Sequence, residues 1–350
     1  MEKFGIYIHW PFCLSKCPYC DFFSMPVNKW DESLLEAAYI RDLKRLPVQT
    51  VTSVFFGGGT PSLMSARLIN RLITVIRDTF PVAPDVEISL EANPDAIDKP
   101  KMEALRAVGV NRLSMGIQAL NAADLKFLGR RHSLETAYRR IEEMKTLFSN
   151  FSFDLIYARP GQTLQAWQKE LKEALSFHPP HLSLYQLTIE EETPFFRRGM
   201  ETLDDETART LYEWTLDAMA AAGCPFYEVS NFAKPGFACR HNLLYWEGDD
   251  YAGIGPAAHG RLGLVATENP RDLATWLKGE TITTLLSPKE RQEEKIMMGL
   301  RLKTGISDQG LSLSAIQKAV EKGWLTHEDG RIFPTREGLI MLNQLILELV

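Results

Sequence analysis

The most constraining feature of the sequence is an alternation of short β-rich runs with longer amphipathic segments. Six β-rich runs begin near residues 4, 51, 86, 112, 151 and 181, and stretches with helical periodicity separate most of them. Strands that alternate with helices form parallel sheets, because each helix carries the chain back to the same edge. A closed barrel requires eight such units, so six predict an α/β fold built on an open, partial parallel β/α barrel. A flat doubly wound sheet, the alternative, would need a GxGxxG turn that the first strand lacks.

Three cysteines follow the first predicted strand within eight residues. Cys13, Cys17 and Cys20 have the spacing CxxxCxxC and come after the alternating apolar run from Phe4 to His9. Loops at the carboxyl ends of parallel strands are where α/β proteins carry their chemistry. Thiolates select zinc, copper(I) or iron–sulfur clusters. A cubic 4Fe–4S cluster on three cysteines would keep one iron open for a further ligand.

A structural zinc site is the alternative for the same cysteines. Zinc sites usually pair two CxxC-like halves or add a nearby histidine. His9 is close in the sequence, but we expect it to point inward from its strand. A disulfide fits less well, because five cysteines are an odd number and the N-terminus does not resemble a signal peptide.

Charge and hydropathy argue against two classes of partner. The 350 residues include 39 basic and 45 acidic side chains, which gives a formal net charge of −6. Nucleic-acid binding needs a basic surface, so we expect no nucleic-acid partner. No apolar run approaches the roughly 20 residues of a transmembrane helix, which leaves peripheral membrane contact open. We expect a cytoplasmic location, where thiols stay reduced.

Glycines and polar residues follow the later strands at the same predicted edge. The stretch 57–61, Gly-Gly-Gly-Thr-Pro, follows the second strand, and its glycines let the backbone approach a ligand closely. Glu91 ends the third strand, Gln118 ends the fourth and Asp154 lies in the fifth, while Arg130 precedes the helix between the last two. Singly, such residues are more often structural. Together an amide, a cation and carboxylates suit a ligand with a diol and a carboxylate.

The cysteine spacing, with an aromatic residue before the third cysteine, resembles the radical S-adenosylmethionine (SAM) superfamily. The resemblance implies a partial barrel and a 4Fe–4S cluster held by Cys13, Cys17 and Cys20. It also implies that the amino and carboxylate groups of SAM chelate the open iron. In that superfamily an electron from the reduced cluster cleaves the sulfonium to a 5′-deoxyadenosyl radical. The motif identifies a superfamily and leaves the substrate open.

The order and approximate spacing of these motifs resemble oxygen-independent coproporphyrinogen III oxidase over most of residues 1–260. Two departures count against porphyrinogen decarboxylation: Phe22 stands where the oxidase has a further cysteine, and the first strand starts at Phe4 without the oxidase's N-terminal extension. An oxidase-like radical SAM oxidoreductase nevertheless remains the alternative function. The resemblance implies that nine residues contact SAM, namely Tyr7, Tyr19, Gly58, Gly59, Thr60, Glu91, Gln118, Arg130 and Asp154.

The stretch 241–246 has the form HNxxYW and, with residues 17–22, resembles the HemW family of haem chaperones. The resemblance implies that the protein binds haem and transfers it to an acceptor protein, with the cluster and SAM supporting or gating transfer. His241 is then a candidate axial ligand, since neutral imidazole is a usual donor to haem iron. A buried structural histidine is the alternative, and His259 and Cys239 are the next candidates.

The C-terminal part has the order helix, helix, hairpin, helix. Helical patterns cover 289–302, 311–321 and 336–349, and a hairpin is expected at 324–333 with its turn at Glu328-Asp329-Gly330. We therefore predict two domains: a barrel with the HNxxYW extension over 1–265 and a small winged-helix-like α+β domain over 285–350. The second domain is not notably basic, so a lid or docking role is favoured over DNA binding.

Overall fold

A computed structural model of the protein describes residues 3–27 and 29–350. The first half of the chain contains β1 to β8 and α1 to α6. Its strands are β1 (Phe4–Trp10), β2 (Phe12–Cys13), β3 (Met25–Pro26), β4 (Val51–Gly58), β5 (Val82–Ala92), β6 (Arg112–Gln118), β7 (Asn150–Tyr157) and β8 (His181–Gln186). Its helices are α1 (Glu32–Leu43), α2 (Ala66–Thr79), α3 (Lys99–Ala107), α4 (Ala122–Phe127), α5 (Leu134–Leu147) and α6 (Leu164–Ser176).

The chain then adds short strands and helices that extend the same sheet. The helices are α7 (Pro194–Arg197), α8 (Asp205–Ala221), α9 (Arg240–Glu247) and α10 (Leu273–Leu277). The strands are β9 (Phe226–Glu228), β10 (Asn231–Ala233), β11 (Asp250–Ile254), β12 (His259–Leu262), β13 (Val265–Glu268) and β14 (Ile282–Leu285).

These strands form one sheet in the order β14–β13–β12–β11–β1–β4–β5–β6–β7–β8–β10–β9. Each neighbouring pair from β11 to β8 is parallel, which confirms the predicted open parallel β/α arrangement. The sequence pattern does not predict β11, which follows α9 and pairs with β1. Antiparallel strands continue the sheet beyond both β11 and β8, so its ends do not meet within the described residues.

Alternation along β1 separates the helix-facing core from the barrel interior. Phe4, Ile6 and Ile8 are fully buried in the main core together with apolar residues of α1 and α2, and each such side chain contributes about 1.5–3 kcal/mol. Tyr7 and His9 lie on the other face and hydrogen-bond to each other at 3.0 Å. The prediction that His9 points inward is therefore confirmed.

The C-terminal elements surround a separate apolar core. They are α11 (Pro288–Gly299), β15 (Ile306–Ser307), α12 (Leu313–Glu321), β16 (Leu325–Glu328), β17 (Arg331–Pro334), α13 (Arg336–Ile340) and α14 (Leu342–Leu349). Leu300, Ile316, Ile332 and Leu345 lie in the centre of this core. The helix, helix, hairpin, helix order agrees with the predicted one, except that β15 lies between the first two helices and pairs with β17, and that the last helix divides at Met341.

Direct contacts join this C-terminal part to the rest of the protein. The backbone N–H of Lys303 donates to the carbonyl oxygen of Tyr227 at 3.0 Å. Arg209 on α8 forms an ion pair with Glu337 at 2.7 Å. In residues 3–27 and 29–350, no helix combines the length and the apolar character needed to cross a membrane.

Candidate functional site

The carboxyl ends of the parallel strands open into one pocket, which we call the cofactor pocket. Its volume is about 1240 Å³ with the mouth included. Because parallel strands end at the same edge of the sheet, residues from distant parts of the sequence meet here. The pocket is lined by all but one of the residues predicted for cluster and SAM: Cys13, Cys17, Cys20, Tyr19, Gly58, Gly59, Thr60, Glu91, Gln118, Arg130 and Asp154.

The cysteine loop is held by a short parallel pairing of β2 with β3. Cys13 is buried, and Cys17 and Cys20 are half-buried. Burial raises the pKa of Cys13 and raises that of Cys20 to about 11. Arg130 Nη1 donates a hydrogen bond to Cys17 Sγ at 3.4 Å. This positive charge complements the negative charge that cysteine ligands bring to a cluster.

The cysteine thiols line the pocket wall without forming a compact single-ion site. Across residues 3–27 and 29–350, no group of three or more His, Cys, Asp or Glu side chains is arranged to hold one metal ion. A four-iron cluster is wider than a single ion and takes cysteine thiolates as its protein ligands. Three soft donors on the wall of an open pocket therefore fit a cluster.

The glycine segment brings the loop after β4 against the cysteine loop. Gly59 N donates to Trp10 O at 2.7 Å and Thr60 N donates to Phe12 O at 2.8 Å. A Cβ added at Gly59 would lie 2.5 Å from Phe12 O, so this close approach requires glycine. Because the two amides already bond to protein, a ligand would meet the carbonyl oxygens of this segment. Those acceptors suit an amino group.

Two carboxyl groups in the pocket have raised pKa values. Burial, followed by the nearby charge of Asp154, raises the pKa of Glu91 to about 8. Burial also raises the pKa of Asp154. Glu91 accepts a hydrogen bond from Gly58 N at 3.3 Å, and Asp154 accepts one from Ser114 Oγ at 3.1 Å. A cationic ligand with hydroxyl groups would add donors to both and favour their ionised forms.

Arg130 and Gln118 provide further polar groups on the wall. Arg130 Nη2 donates to Gly116 O at 2.8 Å and also to Asn93. The buried Nε of Arg130 has no hydrogen-bond partner in the part of the chain that the structure describes, so it can still donate to a ligand. Gln118 has φ 74°, and the pairing of β6 with β7 shifts between Gly116 and Gln118. Such a bulge re-aims the side chain, here toward the pocket.

Tyr7, the remaining predicted SAM contact, lies one layer deeper in the barrel. Its ring stacks on Phe55 and on His241, with centroids 6.3 Å apart in each case. A Cβ added at Gly57 would lie 2.7 Å from the Tyr7 ring. The Tyr7 ring therefore packs against Gly57, at the start of the glycine segment.

His241 is buried in the barrel interior, with 1% of its surface exposed. Its Nδ1 hydrogen-bonds to Ser53 Oγ at 2.8 Å, and its Nε2 hydrogen-bonds to Tyr245 OH at 2.8 Å. Burial lowers the pKa of His241 to about 3, so the ring is neutral. Ligation of haem iron by His241 would require one of these hydrogen bonds to break and the ring to become accessible.

The other two candidate haem ligands have contrasting environments. Cys239 is fully buried, donates from Sγ to Glu87 Oε1 at 3.4 Å, and has a pKa raised to about 12 by burial. His259 begins β12, and its exposed ring lies 4.0 Å from Glu268. Of the three predicted ligands, only His259 reaches the surface, and none lines the cofactor pocket.

Some residues of the cofactor pocket carry no motif. Tyr185 and Gln186 at the end of β8, and Thr188 and Glu190 after it, line the pocket. The sequence could have indicated these residues only through their position at the end of the sixth predicted strand. Phe22, which stands where the oxidase has a cysteine, lies at the mouth with 65% of its surface exposed.

An open parallel barrel with a three-cysteine loop at its carboxyl edge defines a radical SAM protein. Residues 7–174 match the Radical SAM superfamily, and residues 286–341 match the HemN C-terminal domain. Superfamily membership implies a 4Fe–4S cluster and SAM as cofactors. The fold is similar to that of coproporphyrinogen III oxidase HemN from Escherichia coli, with a TM-score of 0.83, 20% identity, and coverage of 99% of this chain and 90% of that chain.

More similar sequences identify the family within the superfamily. Heme chaperone HemW from Lactococcus lactis is 36% identical over 86% of this chain and 82% of its own length. Heme chaperone HemW from Haemophilus influenzae is 35% identical over 99% of this chain and 97% of its own length. The mitochondrial radical S-adenosyl methionine domain-containing protein 1 of Mus musculus is 34% identical over 99% of this chain and 87% of its own length. The chain belongs to the HemW family.

Proposed function

We propose that this protein binds haem and transfers it to an acceptor protein in the cytoplasm. Membership of a family whose bacterial relatives bear the name heme chaperone carries the proposal. Two features of the chain agree with it: the HNxxYW helix is present at 241–246, and Phe22 replaces the further cysteine of the oxidase. Haem is then a cargo, and the acceptor is a separate protein.

The cofactor pocket would hold the cluster on Cys13, Cys17 and Cys20. When bound, the cluster and SAM supply one-electron chemistry at the sulfonium. Arg130 would stabilise the thiolate of Cys17 through the hydrogen bond at 3.4 Å. The pocket residues proposed to bind SAM are Tyr19, Gly58, Gly59, Thr60, Glu91, Gln118, Arg130 and Asp154, with Tyr7 supporting them from below.

The chemistry of each polar group in the SAM site indicates which part of SAM it would bind. The carbonyl oxygens of the glycine segment would accept from the amino group of SAM. The carboxylates of Glu91 and Asp154 would accept from ammonium or ribose hydroxyl groups, and the side-chain amide of Gln118 can both donate and accept. Arg130 Nε, buried without a partner among the described residues, would donate to an oxygen of the ligand.

An anaerobic haem titration of the cluster-reconstituted protein tests the proposed function. We expect one saturable haem per chain, followed by the Soret absorbance, and transfer of that haem to an apo-haemoprotein. The matched control is a variant in which all three loop cysteines are alanine, which separates the contribution of the cluster from that of the protein surface. Absence of saturable binding in both proteins would reject the carrier function.

A radical oxidoreductase acting on a tetrapyrrole is the second candidate. The set of polar groups in the cofactor pocket favours it, because a carrier alone has no need of a complete SAM site. It predicts formation of 5′-deoxyadenosine when reduced protein, SAM and coproporphyrinogen III are combined. If haem is cargo, 5′-deoxyadenosine will not rise above the level seen without coproporphyrinogen III.

A further inference from the structure

A second cleft lies between α9 and the C-terminal elements, and we call it the α9–α11 cleft. Its volume is about 820 Å³, which lies within the usual range for a pocket that holds a small ligand. The end of α9, one face of α11, the segment 302–310 and the start of β17 form its walls. Trp246, the last residue of the HNxxYW motif, is one of the lining residues.

The inner wall of this cleft is apolar. Trp246, Ile296, Leu302 and Ile306 line it. Arg301 lies 5.5 Å from the centroid of the Trp246 ring and holds the half-buried indole in place. A flat apolar ligand could therefore pack against a fixed aromatic side chain and aliphatic residues.

Three cations line the same cleft. Arg291 shares one carboxylate with Arg261, because Glu294 lies 3.3 Å from Arg291 Nη1 and 2.7 Å from Arg261 Nη2. Lys295 and Arg331 differ from it: among residues 3–27 and 29–350, neither has a carboxylate within 4.0 Å that forms an ion pair with it. Arg331 instead donates to the carbonyl oxygens of Thr304 and Gly305, each at 2.9 Å. Two positive charges thus remain available to an anionic ligand.

The position of Lys295 is fixed by the end of α9. Gly248 ends this helix in the left-handed region, with φ 70°, and a Cβ there would lie 2.7 Å from Lys295 Cγ. The aliphatic part of Lys295 therefore packs on Gly248 and keeps the ammonium group at the cleft. Glu247, an acidic lining residue, is engaged by Lys3 in an ion pair.

The two cavities differ in the ligand charge that they suit. The cofactor pocket combines Glu91 and Asp154 with Arg130 and suits a ligand that carries both an ammonium and a carboxylate group. The α9–α11 cleft combines an apolar wall with the unpaired charges of Lys295 and Arg331, and suits a flat apolar molecule with two anionic groups. Haem has this combination, since it is a planar macrocycle with two propionates.

We infer that the α9–α11 cleft is the haem-binding site, with the macrocycle against Trp246 and the propionates paired with Lys295 and Arg331. This inference rests on the proposed haem carrier function and specifies where the cargo binds. Among the described residues that line the cleft, none is a His, Cys, Met or Tyr. The protein therefore supplies no axial ligand from this cleft, and affinity comes from the macrocycle and the propionates.

Two ligand comparisons test this arrangement directly. Protoporphyrin IX, which lacks iron, is expected to bind within about threefold of haem, because no iron ligand contributes. Haem dimethyl ester, which lacks the propionate charges, is expected to bind about tenfold more weakly, as the loss of two partly exposed ion pairs implies. Both titrations use the full chain with its reconstituted cluster.

The variant Lys295→Ala/Arg331→Ala provides the matching change in the protein. It should weaken binding of haem about tenfold but leave binding of the dimethyl ester unchanged, because protein and ligand charges act as a pair. The control is Lys318→Ala/Arg139→Ala, which removes two exposed cations outside both cavities. Trp246→Ala should weaken haem and protoporphyrin IX equally, and Trp246→Phe should restore part of the affinity.

The outcomes separate the location of the site from the function. Saturable wild-type binding that is unaffected by the double variant would overturn the cleft and leave the carrier function standing. Protoporphyrin IX binding more than a hundredfold weaker than haem would also overturn it, because iron ligation would then dominate. Failure of the wild-type protein to bind haem at all would reject the proposed function itself.

Discussion

His241 and Trp246 lie five positions apart on α9 and face different parts of the molecule. His241 is hydrogen-bonded to Ser53 and Tyr245 inside the barrel, each at 2.8 Å, whereas Trp246 lines the cleft beside α11. Five residues correspond to a rotation of about 140° around a helix axis. One helix thus has an anchor in the barrel and a contact surface in the cleft. The HNxxYW pattern combines a structural role with a proposed binding role.

His241→Ala is expected to lower stability without changing the environment of bound haem iron. Removing a buried ring and two hydrogen bonds should lower the free energy of unfolding by about 2–5 kcal/mol. Denaturant unfolding of the apo-protein measures the loss, and the Soret maximum of the folded variant should remain at the wild-type position. The exposed His259→Ala is the control and should change neither quantity. A shifted Soret maximum with unchanged stability would instead identify His241 as the iron ligand.

Gly59→Ala is expected to prevent incorporation of the cluster. The new methyl group would lie 2.5 Å from Phe12 O, so the glycine segment and the cysteine loop must move apart. Iron and sulfide content after reconstitution measures the effect, and we expect a clear loss together with a lower melting temperature. Gly161→Ala is the control for backbone strain alone, since φ is 73° there but no atom lies within 4 Å of the added Cβ; it should lower the melting temperature and leave the iron content unchanged. Normal iron content in Gly59→Ala would show that the contact can relax.

The residues of the cofactor pocket were predictable because they follow from one local rule. Glu91, Gln118 and the glycine segment each end a strand that the sequence predicts, and parallel strands bring such ends to one edge. The cysteine spacing is likewise local. Tyr7 is a partial exception: its place on the strand was predictable, but its depth in the barrel depends on how β1 is positioned relative to Phe55 and His241.

Other parts depend on contacts that no local pattern encodes. β11 pairs with β1 across about 240 residues of sequence, and its short Gly-containing sequence gives a weak strand signal. The orientation of Gln118 arises from a register shift between β6 and β7. The α9–α11 cleft forms only when α9 packs beside the C-terminal elements, so the sequence could identify Trp246 as part of a motif but not its surroundings.

Glu91→Gln is expected to stabilise the apo-protein more at high pH than at low pH. The pKa of Glu91 is raised to about 8 from 4.5 by burial and by Asp154, while Gly58 N and Arg112 favour the ionised form. The folded protein therefore retains a proton between about pH 4.5 and 8, and its stability falls as pH rises through this interval. Glutamine does not ionise, so the variant does not lose stability as pH rises through this interval. Its melting temperature should therefore exceed the wild-type value at pH 9 and approach it at pH 5.

The same substitution should weaken SAM binding about tenfold, because a charge-assisted hydrogen bond is lost. Glu190→Gln is the control, since Glu190 is exposed at the pocket mouth and should show neither effect. Equal shifts in melting temperature at pH 5 and pH 9 would contradict the raised pKa.

Glu87→Gln should weaken haem binding while leaving the cluster and SAM in place. Glu87 Oε1 accepts from the backbone N–H groups of Arg240 at 3.0 Å and His241 at 3.4 Å, so a buried carboxylate from β5 caps the start of α9. Glutamine weakens this anchor, since a carboxylate at a helix N-terminus is favoured by the unpaired amides and the helix dipole. Trp246, at the other end of the same short helix, should then be held less firmly in the cleft.

We expect the haem affinity of Glu87→Gln to fall about threefold to tenfold, with unchanged iron content and unchanged SAM affinity. Asp98→Asn is the matched control, because Asp98 caps α3 by accepting from Lys101 N at 3.0 Å and lies outside both cavities. A parallel loss of haem and SAM binding in Glu87→Gln would indicate general unfolding, and an unchanged haem affinity would show that α9 does not need this cap to position Trp246.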